Sequence, residues 1–251
     1  MNSPNIFNDL SKNKVNVKES IGICCIRFNK SSGSQVKKEV LMVCKRYTYA
    51  YGDFIHGRYP SDQYKSQPII MKLLNNMTVE EKIDILSMDF ARMWYRVWLN
   101  SEKPPFYLIA KNRFDSLLMG DQGLRLKRMI SRSQNQRCIW EMPKGRKKTK
   151  SEPDMHCAIR EFMEETGVSK RMYRFTGIKR TLSWTDDDIR YDNKYYIAIA
   201  NSMFEPTINF DTNDQIMEIS DMRWMSLEDI KCVDVHERML KFIRPILKLA
   251  R

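Results

Sequence analysis

Residues 160–168, with the sequence REFMEETGV, strongly constrain how this chain can fold. The spacing of Glu161, Glu164 and Glu165 would place all three glutamates on one face of an α-helix. Like charges on one helix face repel each other, so this pattern is best tolerated where a cation sits among them. Hard divalent ions such as Mg²⁺ prefer oxygen ligands, including carboxylates and substrate phosphates. The segment is therefore predicted to be a helix that supports metal-assisted phosphate chemistry; the alternative is a solvated acidic face.

The residues before this helix favour the first interpretation. Residues 140–145 have the pattern of a strand that ends in a glycine turn, and a basic loop follows. Residues 151–154 then supply a capping serine and a proline suited to the first helical turn. Gly167 is placed to end the helix. The predicted order is strand, glycine turn, charged loop, acidic helix and glycine stop.

This order resembles the Nudix box, Gly-x5-Glu-x7-Arg-Glu-U-x-Glu-Glu-x-Gly-U, where U is a bulky apolar residue. The matching residues are Gly145, Glu152, Arg160, Glu161, Phe162, Glu164, Glu165, Gly167 and Val168. The seven residues between Glu152 and Arg160 fit the pattern, whereas six residues separate Gly145 from Glu152 instead of five. The extra residue falls in the lysine-rich loop, where an insertion costs little. The helix register is kept, and only the placement of Gly145 and Glu152 is left open.

The residues themselves suggest roles in cleaving a phosphoanhydride, which needs neutralised phosphates, an in-line water and a base or metal to activate it. Glu161 and Glu165, one turn apart, form the best pair for metal ligation. Glu164 is a further ligand and our preferred general base. Arg160, one turn before Glu164, is expected to form an ion pair that orients a glutamate.

Three more residues complete the predicted site. Lys144 is a candidate phosphate contact, and Gly145 permits a tight turn with close backbone approach. Glu218 lies in a Glu-Ile-Ser-x-U-x-Trp run that resembles the corresponding run of decapping Nudix proteins. That resemblance implies a further metal ligand or the second-choice base, against the alternative of an ordinary surface carboxylate. It also implies Mg²⁺ or Mn²⁺ as the cofactor.

The formal net charge of +12 indicates an attraction to phosphate polymers. The cations crowd near the box, and the candidate RNA-binding residues are Arg125, Lys127, Arg128, Arg132, Arg146, Lys147 and Lys148. They are predicted to form a track for a long anionic substrate, with a solvated basic surface as the alternative.

Cysteine usage and hydropathy indicate a cytoplasmic protein. The six cysteines are scattered without a CxxC pair, which is typical of reduced thiols, and the three histidines suggest no zinc site. The amino-terminal residues lack the apolar run of a signal peptide, and no apolar stretch approaches membrane-spanning length.

The predicted fold class is α+β, a Nudix α/β/α sandwich with a mixed sheet plus an inserted helical domain. Residues 1–17 are expected to be mobile, residues 18–46 and 136–251 to form the discontinuous catalytic domain, and residues 47–135 to form a helical RNA-binding insertion. Strands are predicted at 21–28, 40–46, 173–184 and 195–200, with turns at 30–34 and 186–188. Helices are predicted at 69–75, 79–99, 106–110, 124–133 and from 235 onward. The aromatic stripe between Phe90 and Trp98 is expected to be core rather than a base-stacking platform.

Residues 45–59, 75–81 and 89–95 resemble the mRNA-decapping Nudix proteins of large cytoplasmic DNA viruses, closest to the African swine fever virus type. The resemblance implies capped mRNA as substrate, with m7GDP and 5′-monophosphate RNA as products, in the host cytoplasm or a viral factory. A second enzymatic hypothesis is that the protein hydrolyses diphosphoinositol polyphosphates. A third, from another class, is a noncatalytic RNA-binding protein on a Nudix scaffold, which the intact glutamates disfavour. The sequence leaves open the oligomeric state, the preferred metal, the choice between host and viral transcripts, and the aromatic residues that stack on the cap, for which the candidates are Tyr49, Tyr51, Phe54, Tyr59, Trp184 and Tyr191.

Overall fold

A computed structural model of the protein describes residues 16–30, 36–98, 105–119, 121–186, 188–208, 213–234 and 237–249. Its strands are β1 (Asn16–Asn29), β2 (Lys37–Lys45), β3 (Trp140–Glu141), β4 (Lys144–Gly145), β5 (Tyr173–Asp186), β6 (Ile189–Ala200) and β7 (Ile219–Met225). Its helices are α1 (Tyr49–Ile55), α2 (Gln63–Asn75), α3 (Val79–Ser87), α4 (Phe90–Trp98), α5 (Pro105–Leu118), α6 (Leu124–Arg132), α7 (Asp154–Thr166), α8 (Asn213–Glu218), α9 (Leu227–Val233) and α10 (Arg238–Leu249).

The strands form one mixed sheet in the order β3-β2-β1-β6-β5, with β4 paired to β1 and β7 paired to β2. β1 runs parallel to β6 and antiparallel to β2 and β4. Because side chains alternate along a strand, Ile23 and Cys25 pack with α7 on one face, while Cys24 and Ile26 pack with α10 on the other. Helices cover both faces of the sheet, which confirms the predicted α/β/α sandwich.

The helices α1–α6 lie between β2 and β3 and have a hydrophobic core of their own, formed by buried residues between 50 and 129. Phe90, Met93 and Trp94 are buried in this core, as the sequence predicts. Among the described residues, no helix combines the length and the apolarity that crossing a membrane requires. All six cysteines carry free thiols.

Side chains at the start of α3 hold both connections between the helical unit and the sheet. Thr48, after β2, donates to Glu81 from its backbone N–H at 2.5 Å and from its hydroxyl at 2.7 Å. Lys82 donates to the Gln134 carbonyl and, at 2.9 Å, to Asn135 Oδ1. Two neighbouring residues thus fix the incoming and the outgoing chain.

The helical unit differs from the prediction in several places. Helices α2 and α5 are both longer than the predicted 69–75 and 106–110. Residues 79–99 were expected to form one helix, but the extended backbone of Met88 ends α3, and Asp89 accepts a 2.9 Å hydrogen bond from the Arg92 N–H to begin α4. The sequence pattern also missed α1, which begins after Thr48, a residue whose side chain caps it by accepting from the Tyr51 N–H.

Three other predicted boundaries are also wrong. Strand β6 begins at Ile189, six residues before the predicted start at 195. β1 begins at Asn16, which pairs with Ile189 of β6, so the last two residues of the segment expected to be mobile belong to the sheet. Ser151 does not cap α7: the N-cap is Pro153, without a side-chain hydrogen bond, because the Ser151 hydroxyl bonds to Thr149 within the loop. Residues 1–15, the turn residues 31–34, Asp187 and the start of the last predicted helix at 235–236 lie outside the described residues.

Candidate active site

Helix α7 presents the glutamates of the predicted site to two different neighbours. Phe162 is fully buried in the core beneath the sheet and fixes the rotation of the helix. Glu161 and Glu164 then face Gly145 and the basic loop that follows it (residues 146–153, the box loop). Glu165, which is 3 % exposed, faces β2 and β4. Gly167 ends the helix with a φ of 68°, in the left-handed region that favours glycine.

Arg160 gathers three of the predicted carboxylates. Its Nη1 lies 2.7 Å from Glu161 Oε1 and 2.8 Å from Glu164 Oε2. Its Nε and Nη2 donate to the two oxygens of Glu152 at 2.9 and 3.0 Å, and Nη2 also donates to the Arg146 carbonyl at 2.9 Å. Glu152 therefore reaches the helix despite the extra loop residue, because the loop folds back on itself before α7.

Gly145 leaves the space that the Glu161 carboxylate fills. A Cβ on Gly145 would lie 2.0 Å from both Cδ and Oε2 of Glu161, far inside contact distance. Gly145 pairs with Ile21 of β1, so the sheet fixes its position. The glycine is needed here because a carboxylate packs against its α-carbon.

Lys45, at the end of β2, gathers a second group of carboxylates that the sequence does not place together. Its Nζ lies 2.6 Å from Glu165 Oε1, 3.0 Å from Glu218 Oε2 and 3.7 Å from Glu141 Oε1. Glu165 also accepts from the Lys144 N–H at 2.9 Å. Glu218 is thereby brought next to the box helix.

Lys144 is engaged in a buried contact. Its ammonium lies 2.7 Å from Glu141 Oε2, and its side chain is 9 % exposed. The Tyr49 hydroxyl donates to Glu141 Oε1 at 3.2 Å. The predicted contact between Lys144 and a phosphate stays a prediction.

Burial and charge shift the ionisation of this cluster. Burial raises the pKa of Glu165 to about 7, because desolvation outweighs the attraction of Lys45. Burial also raises the pKa of Glu161, against the opposing effect of Arg160. Burial by itself would lower the pKa of Lys45, but the charges of Glu165 and Glu141 raise it. Hydrogen bonds from Arg160 lower the pKa of Glu152 to about 2.

The predicted ligands Glu161, Glu164, Glu165 and Glu218 fit a divalent cation by chemistry and electrostatics. Their carboxylate oxygens are hard ligands. Because burial raises the pKa of both Glu161 and Glu165, a nearby positive charge would stabilise their ionised forms. Among the described side chains, no cluster of three or more histidine, cysteine, aspartate or glutamate residues has the arrangement of a metal-binding site. The carboxylates are paired instead with Arg160 and Lys45, and their assignment as ligands stays a prediction.

The predicted RNA-binding cations lie on two elements. On α6, the side chains of Lys127, Arg128 and Arg132 are exposed and that of Arg125 is half-buried. In the box loop, Lys147 pairs with Asp154 at 2.7 Å and Lys148 pairs with Glu164 at 2.8 Å, while Arg146 contributes its carbonyl.

The structure separates the aromatic candidates for cap stacking. Tyr51, Phe54 and Tyr59 are buried in the helical core. Trp184 and Tyr191 stack on each other, with ring centroids 5.2 Å apart and planes 8° apart. Tyr49 is 58 % exposed and contacts the carboxylate cluster.

Sequence reasoning missed Lys45 and Glu141 as members of the site, and it named Tyr49 only as one of six candidates for cap stacking. Glu141 lies within the segment that resembles the box, four residues before Gly145, so an acidic residue beside the glycine turn was an available signal. Lys45 offered no such signal, because only the pairing of β2 with β3 and β7 brings it to Glu141 and Glu218.

A mixed sheet holds a glycine against a glutamate-rich helix, an arrangement that suits metal-assisted cleavage of pyrophosphate bonds. The profile of the NUDIX domain matches residues 112–248, more than half of the chain. The chain therefore belongs to the Nudix family, whose hydrolases generally use divalent metal ions.

Similar proteins come from viruses and from a nematode. The chain is 32 % identical over 232 residues to "mRNA-decapping protein g5R" of African swine fever virus (isolate Pig/Kenya/KEN-50/1950), covering 89 % of this chain and 91 % of the relative. It is 27 % identical over 222 residues to "Putative mRNA-decapping protein" of Acanthamoeba polyphaga mimivirus, and the match covers 75 % of this chain and 58 % of the relative. A crystal structure of a C. elegans Ap4A hydrolase binary complex matches with a TM-score of 0.44 and 17 % identity, covering 92 % of this chain and 97 % of that one.

Proposed function

We propose that this protein is a metal-dependent Nudix hydrolase that removes the 5′ cap from mRNA, releasing m7GDP and 5′-monophosphate RNA. The observation that carries the proposal is the gathering of the α7 glutamates around Arg160 and Lys45, beside the glycine that accommodates Glu161. The 32 % identity to a viral mRNA-decapping protein over most of both chains supports the choice of substrate.

The proposed chemistry is attack of a water on the polyphosphate bridge of the cap. A bound Mg²⁺ or Mn²⁺ would supply Lewis acidity and charge neutralisation, and Glu161, Glu164, Glu165 and Glu218 are the residues that would hold it. Arg160 acts as a positioning residue, because it holds Glu152, Glu161 and Glu164 at hydrogen-bond distance.

Glu164 is our assignment for the general base, with Glu218 second. Glu164 Oε1 contacts Lys148, whose side chain is 64 % exposed, while Oε2 is held by Arg160. Arg160 thus orients the carboxylate, which would take the proton from water. Glu218 is 57 % exposed and bonds to Lys45 through Oε2.

Tyr49 is the aromatic side chain that we assign to the methylated guanine. Its ring is exposed, and its hydroxyl is anchored to Glu141, which shares Lys45 with Glu165 and Glu218. A base stacked on this ring would place its phosphates near the carboxylates. Stacking of this kind contributes roughly 1–3 kcal/mol, so Tyr49→Ala should raise KM for capped RNA about tenfold or more while leaving kcat nearly unchanged.

We propose that residues 47–135 form an inserted helical domain that binds the RNA body. The separate hydrophobic core of α1–α6 and the exposed cations of α6 support this division. Cleavage of mRNA caps would place the protein in the cytoplasm of a host cell or in a viral factory.

The test uses RNA labelled in the cap phosphates. Wild-type protein with Mg²⁺ or Mn²⁺ should release labelled m7GDP, and Glu164→Gln should lose turnover about 10²-fold or more while keeping its RNA affinity. Glu228→Gln, which makes the same chemical change on the exposed surface of α9, serves as the matched control and should keep full activity.

Two results would overturn the proposal. Cleavage of a diphosphoinositol polyphosphate without cleavage of capped RNA would favour the compact substrate. RNA binding with equal inertness of wild-type protein and Glu164→Gln would favour a noncatalytic binding protein.

A further inference from the structure

The Lys45 ammonium is shared by three carboxylates that come from three different elements. Its Nζ lies 2.6 Å from Glu165 Oε1 of α7 and 3.0 Å from Glu218 Oε2 at the end of α8. Glu141 Oε1 of β3 lies further away, at 3.7 Å. Glu165 and Glu218 are also two of the residues to which we assign the divalent cation. Lys45 and that cation would therefore draw on the same carboxylates.

Glu165 has one oxygen left to offer a cation. Its Oε2 accepts a 2.9 Å hydrogen bond from the backbone N–H of Lys144, and the pairing of Lys144 with Gly22 of β1 fixes that N–H. Its Oε1 is the oxygen that Lys45 holds. A divalent cation ligated by Glu165 would therefore take the oxygen that accepts from the ammonium. Because like charges repel, the two cations compete for it.

The contacts of Lys45 allow it to move, whereas those of Arg160 do not. Arg160 donates to three glutamates and also to the backbone carbonyl of Arg146, through a planar and rigid guanidinium. Within the described part of the chain, the hydrogen bonds and ion pairs of the Lys45 ammonium all go to side-chain carboxylates. This ammonium sits on a flexible four-carbon stem. It can exchange one carboxylate for another without breaking a bond to the backbone.

Glu141 gives Lys45 a second position close by. The carboxylates of Glu141, Glu165 and Glu218 outnumber the two ammonium groups that pair with them, those of Lys45 and Lys144. A divalent cation added to this group would reverse the balance and leave an excess of positive charge. Withdrawal of Lys45 from Glu165 toward the buried Glu141 would relieve the repulsion and keep a carboxylate for the ammonium.

We propose that Lys45 is a counter-ion that gives way to the divalent cation. It joins Glu165 and Glu218 in the metal-free protein and withdraws to Glu141 when the cation binds, so that its charge weakens metal binding. The proposal rests on the proposed function for the assignment of Glu165 and Glu218 as ligands. A lysine that served only as a structural brace would have the opposite effect, because its removal would scatter the ligands and weaken metal binding.

Binding of Mn²⁺, measured from the electron paramagnetic resonance signal of the free ion, separates these two roles. Lys45→Met should bind Mn²⁺ about tenfold more tightly than wild-type protein or better, because a repelling charge a few ångströms away is removed. Lys45→Arg keeps the charge and should stay within about threefold of wild type. Lys231→Met makes the same change on the exposed surface of α9 and should match wild type. Equal or weaker Mn²⁺ binding by Lys45→Met would overturn the proposal.

Crystal structures of wild-type protein with and without Mn²⁺ decide the question if Lys45→Met fails to fold. The distance between Lys45 Nζ and Glu165 Oε1 should lengthen from 2.6 Å to beyond hydrogen-bond reach when Mn²⁺ is bound. The distance from Lys45 Nζ to Glu141 Oε1 should shorten from 3.7 Å. A 2.6 Å contact with Glu165 that persists beside bound Mn²⁺ would refute the exchange.

Cap cleavage by wild-type protein, measured in parallel, separates this proposal from the proposed function. Absence of m7GDP from every capped RNA, with tighter Mn²⁺ binding in Lys45→Met, would refute decapping and leave the role of Lys45 standing. Release of m7GDP by wild type, with no gain in Mn²⁺ affinity in Lys45→Met, would overturn only the role of Lys45.

Discussion

Replacing Gly145 with alanine tests how closely the sheet and α7 control the geometry of the site. The new Cβ would lie 2.0 Å from the Glu161 carboxylate, and ordinary contact begins at 3.4 Å, so the carboxylate must move by at least 1.4 Å. The backbone of Gly145 is not in the left-handed region, so alanine itself is accepted there. The obstructing atoms belong to the end of a flexible side chain, which can turn away at low cost. We expect a loss of only about 1 kcal/mol in the free energy of unfolding.

The effect on catalysis should be much larger. A displacement of about 1 Å in a catalytic group typically costs about 10²-fold in rate, or about 2.7 kcal/mol of transition-state stabilisation. Gly145→Ala should therefore lower kcat/KM for capped RNA about 100-fold, measured by release of labelled m7GDP. A urea titration in parallel should show a protein that is still folded. In a Glu161→Ala background the same substitution should have no further effect on rate, because the displaced group is already gone.

Gly52→Ala is the matched control for this experiment. A Cβ at Gly52 meets no atom within 4 Å, and the residue lies inside α1. This substitution should stabilise the fold by about 0.5–1 kcal/mol and leave the rate unchanged. Near-normal activity in Gly145→Ala would refute the argument that the glycine exists to seat Glu161.

Three other substitutions probe the supports of the site. Gly22→Ala should lower the free energy of unfolding, measured in urea, by roughly 2–3 kcal/mol. Its Cβ would lie 2.0 Å from the backbone oxygen of Pro143, which can move only if β4 separates from β1. A loss below about 1 kcal/mol would contradict this expectation. Lys45→Met should cost about 3–5 kcal/mol in metal-free protein, because Glu165 and Glu141 then remain buried without their shared cation; an unchanged urea midpoint would show that the pairing contributes nothing. Glu165 gives a pH signature, since its pKa is raised from 4.5 to about 7 in the folded protein. The stabilisation that this raised pKa gives to the folded state is complete below pH 4.5 and is lost as pH rises through 7. In buffer with a metal chelator, the free energy of unfolding of Glu165→Gln should therefore rise by about 3 kcal/mol relative to wild type between pH 4.5 and 8. If the free energies of unfolding of the two proteins changed in parallel over that range, the raised pKa would be refuted.

Local sequence rules determined much of this protein. The spacing of Glu161, Glu164 and Glu165 with a closing glycine identifies α7 and its family, because the period of a helix fixes which residues share a face. The apolar runs in residues 21–28 and 40–46 identify β1 and β2. The same reasoning placed Phe90 in a core.

Only the tertiary structure decided how the glutamates are divided. Periodicity predicts one converging face, yet Phe162 sets the rotation of α7 so that Glu161 goes to Arg160 and Glu165 goes to Lys45. Lys45 and Glu218 are 173 residues apart and meet because β7 pairs with β2. A local pattern records the period of a helix or strand but carries no information on which distant strand will lie beside it, so the second half of the site became visible only once the sheet was assembled.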